Sequence, residues 1–237
     1  MKIGIMALVA GMACAGSASA DLVAYWNYNA STAGVSGGLG TLDQSYPFQA
    51  NAGAGQITTN FTINTVAGTT AQNTGDLGTF GGDLGNALFG DPAGGALAMR
   101  AGSGVSGSPI TNNGKYVQFE LNLGGYASDV VLSYATRNTA TGFQTQTWSY
   151  STDGVTFTNF QVVSGLTTTF AVKTVDFGAA NLGGAASAIF RVTFDGATNT
   201  GGNNRMDNVQ FNATAVPVPG TLALVGVGAL AVARRRR

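Results

Sequence analysis

Hydrophobic and polar residues alternate with a period of two in short segments, most clearly through the second half of the chain. In KYVQFELNL (115–123), Val117, Phe119 and Leu121 fall on one face and Tyr116, Gln118 and Glu120 on the other. VVLSYATR (130–137) sets Val130, Leu132 and Tyr134 opposite Val131, Ser133 and Ala135. AIFRVTF (188–194) aligns Phe190, Val192 and Phe194, with Arg191 and Thr193 turned away. TWSYS places Trp148 with Tyr150, RMDNVQF places Val209 with Phe211, and LVAYWNYN (22–29) offers an opening strand. Such alternation is the mark of half-buried antiparallel strands. Between the runs stand Asn113-Gly114, Gly124-Gly125, Asp153-Gly154 and Asp195-Gly196, turn signals because Asn, Asp and Gly tolerate positive φ. No stretch carries a helical stripe.

Many strands with one wet face each must pair as two sheets or close as a barrel. The prediction is an all-β fold, a two-sheet jelly-roll-like sandwich over residues 21–215, with the first strand beside the last. Residues 30–95 are less regular, glycine-dense with isolated Leu and Phe. They read as long loops crossing one end of the sandwich, with one strand at QITTNFTIN (56–64). Loops of this kind commonly carry binding residues.

Both ends of the chain depart from this pattern. The opening MKIGIMALVAGMACAGSASA has a basic residue, a short apolar run and the small residues Ala18 and Ala20. It reads as a signal peptide helix (1–20) for the Sec export machinery, cleaved after Ala20. A retained membrane helix is disfavoured because spanning takes about 20 apolar residues. A lipoprotein signal at Cys14 is disfavoured because Gly11-Met12-Ala13 lacks the usual large aliphatic residue. Cys14 is the single cysteine of the chain and leaves with the leader, so the exported domain holds no thiol or disulfide. At the other end, Pro217 and Pro219 interrupt regular structure and an uncharged apolar stretch follows. Arg234, Arg235, Arg236 and Arg237 then close the chain as a positive-inside stop. As a helix, Thr221–Ala233 would span about 20 Å, short for a permanent anchor and suited to a transient one in the inner membrane.

Val216, Pro217, Val218, Pro219 and Gly220, the apolar stretch and the arginine cluster together resemble the PEP-CTERM sorting signal, also named an ice-binding protein C-terminal domain. Val218 stands where that family usually has Glu. The resemblance implies recognition and removal of the tail by an exosortase-type membrane protease, and release to the cell surface or extracellular polysaccharide. The name implies nothing about ice, since the tag does not describe its cargo. A second resemblance lies in the body. Trp148 to Phe157 follows W-x-Y-S-x-D-G-x-x-F, and with NNRMDNVQF (203–211) it is similar to the galactose-binding-like jelly-roll modules of exported bacterial proteins. It implies a fold more than a ligand.

Charge narrows the function further. The chain has 11 basic and 11 acidic residues, but Lys2 and the four terminal arginines belong to the two ends. The remaining six bases against eleven acids leave the body near −5 (6 − 11), with no basic stripe, so no nucleic acid partner is expected. There is no histidine, which removes Ser-His-Asp and Cys-His catalysis and His-ligated metals. Asp153, Asp195 and Asp207 are the acids a polysaccharide hydrolase would use, and that is the alternative to a non-enzymatic role; a permanently tail-anchored surface protein is another. No cofactor is expected apart from a structural Ca²⁺, for which Asp195, Asn203 and Asp207 supply the oxygen chemistry. Arg137, Phe143, Trp148 and Arg205 are the candidate ligand-binding residues, since aromatic faces and guanidinium forks suit sugars and carboxylates. The functional expectation is an exported structural or adhesive protein with weak carbohydrate binding.

Overall fold

The computed structural model describes residues 20–34 and 37–216. Among these, thirteen strands form two antiparallel sheets packed face to face. One sheet runs β11 (Ala171–Asp176), β8 (Val131–Asn138), β13 (Asn203–Thr214), β1 (Ala20–Trp26) and β3 (Ala52–Gly53). β6 (Gly95–Arg100) joins this seven-stranded sheet along the first half of β13 and carries β5 (Leu77–Gly81) on its free side. The six-stranded sheet runs β10 (Thr158–Val163), β9 (Thr145–Ser151), β12 (Ala188–Asp195), β7 (Tyr116–Leu121), β4 (Gln56–Thr59) and β2 (Phe48–Gln49). The first and last strands are neighbours, with Ala20 opposite Thr214 and Trp26 opposite Val209.

The expected alternation is realised strand by strand. Val117, Phe119 and Leu121 of β7, Leu132 and Tyr134 of β8, and Phe190, Val192 and Phe194 of β12 all face the space between the sheets and are buried. Aromatic rings fill that space: Trp148 lies 5.5 Å from Tyr134 and 6.0 Å from Phe119, and Phe190 lies 4.9 Å from Phe211. Each fully buried apolar side chain contributes about 1.5–3 kcal/mol. One polar thread crosses the core. Trp148 Nε1 donates to Tyr134 Oη (3.0 Å), Tyr134 donates to Gln146 Oε1 (2.7 Å), and Gln146 Nε2 donates to Thr136 Oγ1 (3.0 Å). Thr136 passes the chain on to the Arg205 carbonyl at 2.8 Å. Every member has a partner, so burial carries no penalty for an unmet bond.

Residues 30–95 hold more strand than expected. β5 and β6 form a hairpin whose register runs from Leu77–Met99 to Gly81–Gly95. β6 does not alternate because both its faces are covered, and all of Gly95–Arg100 is buried. Leu97 and Met99 join the main core, while Ala98 joins a small second cluster with Leu39 and Phe80 on the outer side. The strand at 56–64 is shorter than expected, with β4 ending at Thr59.

β13 breaks its own alternation once. Its register against β8 shifts between Asp207 and Gln210, and Asn208 takes a left-handed φ of 48°. A residue inserted there changes which side chains point inward. Met206, Val209, Phe211 and Ala213 therefore all reach the core, while Asp207 and Asn208 turn to the outer side of the sheet.

Candidate functional site

The outer face of the seven-stranded sheet gathers most of the chemistry. β8 and β13 are far apart in sequence but adjacent in the sheet, and their register sets Arg205 directly opposite Arg137. Side chains so placed are about 5 Å apart at Cβ, and like charges there repel. Arg205 lies over the Phe80 ring at 4.6 Å, and Arg137 over Phe170 at 5.9 Å. Arg205 donates to the Gly81 carbonyl (3.2 Å) and to Asn203 Oδ1 (3.4 Å), whereas Arg137 Nε is buried without a partner. Among the described residues neither guanidinium donates to a carboxylate. Burial, and then the Arg137 charge, lower the Arg205 pKa to about 10.

Further along the same face, the loop of residues 82–94 between β5 and β6 folds down over the bulge. Asp207 is fully buried beneath it. Its Oδ2 accepts the Asp83 N–H and its Oδ1 the Asn208 N–H, both at 2.8 Å. Asn208 Nδ2 donates to the carbonyls of Asp83 (2.8 Å) and Gly85 (3.0 Å), and Asn86 Nδ2 donates to the Asn208 carbonyl (2.7 Å). The Tyr25 hydroxyl lies 2.8 Å from Asn208 Oδ1 and 3.0 Å from Asp91 Oδ2, and it accepts the Leu88 N–H at 3.2 Å. Gly82 is required here, since a β-carbon would collide with Asp207 Oδ2. Burial pushes the Asp207 carboxyl up to about 8, against the two backbone N–H groups that favour its charged form; Asp83 and Asp91 raise it further. Tyr25 is raised as well, chiefly by burial. This cluster clasps the loop to the sheet. Leu84 and Phe89 stand exposed on the loop.

The outer face of the six-stranded sheet is chemically quieter. The Arg191 guanidinium sits between Phe157 and Tyr116, 3.4 and 4.0 Å from the ring centres. Its Nε donates to Gln118 Oε1 at 2.8 Å, and Nη2 donates to the same oxygen. Glu120 accepts from Gln56 Nε2 (2.8 Å) and Ser187 Oγ (3.2 Å). These partners leave little chemistry unmet.

Of the four expected ligand-binding residues, the structure brings Arg137 and Arg205 together and sends Phe143 and Trp148 into the core, both fully buried. The aromatic partners the arginines do have are Phe80 and Phe170. Neither was legible, because each comes from a segment distant from the arginine it meets. The three aspartates do not meet. Asp153 caps its own turn, its Oδ1 accepting from Val155 N and Thr156 N at 2.8 Å, which holds its pKa below the usual range. Asp195 Oδ1 accepts the Gly196 N–H at 2.7 Å, with Gly196 at φ 81°. Ile189 pairs with Ser151 and Asp195 with Thr145, so Asp153 and Asp195 lie at opposite ends of β9, about 20 Å apart. Asp207 belongs to the other sheet.

The expected calcium residues are also spread out. Asp195 ends β12 in one sheet, while Asn203 and Asp207 lie on β13 in the other, about 13 Å apart along the strand. An ion with ligands at about 2.5 Å is not shared over that distance. Among the described residues no group of three or more His, Cys, Asp or Glu side chains is arranged around a common point. Missed from sequence were Tyr25, Asp83, Asp91 and Asn208; the crowding of Asp and Asn in GDLGNALFGD (82–91) was the available signal.

The cleavage site at Ala18 and the residues Pro217–Arg237, with the expected leader and membrane helix, lie outside the described residues, apart from Ala20 and Val216. Among the described residues no helix is long and apolar enough to cross a membrane. Residues 215–237 match the family model of the PEP-CTERM protein-sorting motif, so the C-terminal tail is a sorting signal of that kind. No curated protein matches the chain. Similar solved structures include the K1 cleaved adhesin domain of Lys-gingipain from Porphyromonas gingivalis W83. It shares 13% identity at a TM-score of 0.40, over 69% of this chain and 100% of that one. The K2 domain of the same adhesin shares 12% at 0.43, over 79% and 97%. TmCBM61, solved with β-1,4-galactotriose, shares 10% at 0.36, over 66% and 86%. The galactotriose belongs to that protein.

Proposed function

We propose that this chain is an exported, non-enzymatic β-sandwich protein of the cell surface or extracellular polysaccharide, adhesive in role, and sorted by its C-terminal signal. The observation that carries this reading is the sorting motif at residues 215–237. The partners it brings are the Sec machinery, an exosortase-type membrane protease and a polysaccharide. Support for a binding role comes from the Arg137–Arg205 pair, two adjacent guanidinium groups with no carboxylate partner among the described residues. An acidic polymer lying along β8 and β13 would supply the missing counter-charge through paired N–H···O contacts. A non-enzymatic role is favoured because Asp153, Asp195 and Asp207 each serve local hydrogen bonds and never approach the 5–9 Å pairing that glycoside hydrolysis uses.

Mass spectrometry of both native termini, with the cell fraction noted, tests the sorting. The expected product begins at Asp21, lacks the arginine cluster and is found in the matrix or medium. Full-length protein held in membranes would mean a permanent anchor. Cosedimentation with insoluble acidic and neutral polysaccharides tests the adhesion. Acidic polymer should retain the wild type, and the Arg137→Gln/Arg205→Gln variant should be released at lower salt. Equal retention of the two proteins would remove the arginine pair from the reading.

A further inference from the structure

A third arginine lies on the same face of β6, at one end of the sandwich. Arg100 is opposite Asn203 in the register and is 1% exposed. Its Nε donates to the Gly102 carbonyl (3.0 Å) and its Nη2, at 3.4 Å, to the Gly75 carbonyl. Nη1 is buried and has no partner among the described residues. Burial lowers the Arg100 pKa, and the Asp76 charge opposes that in part. A buried guanidinium held by carbonyls alone is costly, and the cost falls when an anion approaches.

The same arginine lines a cleft of about 430 Å³, within the usual size of a small-molecule site. Its walls come from residues 62–76 and 100–111: Thr62, Thr70, Asn73, Thr74, Ser103 and Ser108 give hydroxyls and an amide, and Asp76 gives a carboxylate. No aromatic ring is present. Nη1 lies just under Gly104, where a β-carbon would come within 2.7 Å. The wall above it is GSGVSG (102–107), with Gly104 and Gly107 at φ 76° and 82°. A side chain at Gly104 would press on this nitrogen, so the bare backbone there leaves room beside the guanidinium that lines the cleft.

We propose that this cleft binds an acidic sugar residue, a uronate, with Arg100 taking the carboxylate. The cation selects an anion. Asp76 and the hydroxyl walls select a ligand that also carries several hydrogen-bond donors, as a sugar ring does and acetate does not. The site shares no residue with the Arg137–Arg205 pair and stands independently of it.

Glucuronate, glucose and acetate, each titrated against the full-length protein, test the assignment through the thermal midpoint and calorimetric binding. Glucuronate should raise the midpoint, while glucose and acetate at equal concentration should not. The Arg100→Met variant should lose the response yet melt no lower than wild type without ligand, since it removes a buried unpaired charge. Ser108 is half-buried in the cleft wall, and the Ser108→Ala variant should stay folded and bind glucuronate roughly three- to tenfold more weakly. Because the surface pair also attracts anions, the titrations are repeated in the Arg137→Gln/Arg205→Gln background, where the response that depends on Arg100 should persist. Equal effects of glucose and glucuronate, or a response retained by Arg100→Met, would overturn the proposal. Acetate matching glucuronate would overturn the sugar assignment. Loss of the response in the Arg137→Gln/Arg205→Gln variant would move the binding to the other site. If Arg100→Met does not fold, unchanged binding by Ser108→Ala is the overturning result.

Discussion

The two outer faces of the sandwich spend their charged residues in opposite ways. On the six-stranded sheet, Arg191 is stacked between Phe157 and Tyr116 and bonded to Gln118, and Glu120 accepts two donors. Every charge there is met by a neighbour. On the seven-stranded sheet, Arg100, Arg137 and Arg205 lie around the start of β13, and Asp83 and Asp91 of the 82–94 loop gather with Asp207 around the bulge just beyond. Opposite charges share a face without pairing: the arginines donate to carbonyls and an amide oxygen, and Asp207 accepts backbone N–H groups. The first arrangement stabilises the sheet and is complete. The second holds charge at a cost to the fold, and such costs persist where a ligand or a loop makes use of them.

The largest effect that would break this contrast is at Asp207. Its carboxyl rises from 3.8 to about 8 on folding. A group raised in the folded state contributes its full stability below its unfolded value and loses it as pH climbs through the folded one. The wild type should therefore lose stability between about pH 4 and pH 8, relative to the Asp207→Asn variant, by several kcal/mol. Urea melts of both proteins across pH 5–9 measure the difference. A difference that stays flat would mean that the buried carboxylate is held charged at no cost to the fold. Amide exchange in residues 82–94 should quicken over the same interval, because Asp207 clasps that loop.

Next in size is a change of sign between two arginines. Arg191→Ala removes two ring contacts and a forked hydrogen bond and should cost about 1–3 kcal/mol. Arg205→Met keeps the apolar stem over Phe80 and removes a like-charge neighbour, so it should be neutral or stabilising by up to about 1 kcal/mol. Equal losses at both positions would erase the distinction between the faces.

The quiet face was also the legible one. Tyr116, Gln118 and Arg191 occupy the polar side of runs whose apolar side is unmistakable, and period two alone places them outward. The strained face hid for three physical reasons. β6 is covered on both sides, so its alternation vanishes. The bulge at Asn208 reverses the facing of the residues after it, which strict alternation through RMDNVQF does not register. Finally, Arg137 meets Arg205 only because strands far apart in the chain lie side by side. Trp148 and Phe143 looked like sugar platforms by residue type, but the sheet-to-sheet space needed large rings and took them.

The smallest predicted effect isolates the arginine pair itself. Arg137 and Arg205 are both partly exposed, so dissolved ions screen their repulsion within a Debye length of about 10 Å at 0.1 M salt. Raising sodium chloride from low to moderate concentration should stabilise the wild type by a few tenths of a kcal/mol, in keeping with exposed charge pairs. Arg205→Met should lose that gain, and Arg191→Ala should keep it, because Arg191 has no like-charged cross-strand neighbour to be screened from. The buried Asp207 clasp lies beyond the reach of salt and should add nothing to the difference. A salt response that survives Arg205→Met would place the repulsion elsewhere on the body, and the two faces would then differ in how they are covered without differing in how their charge is held.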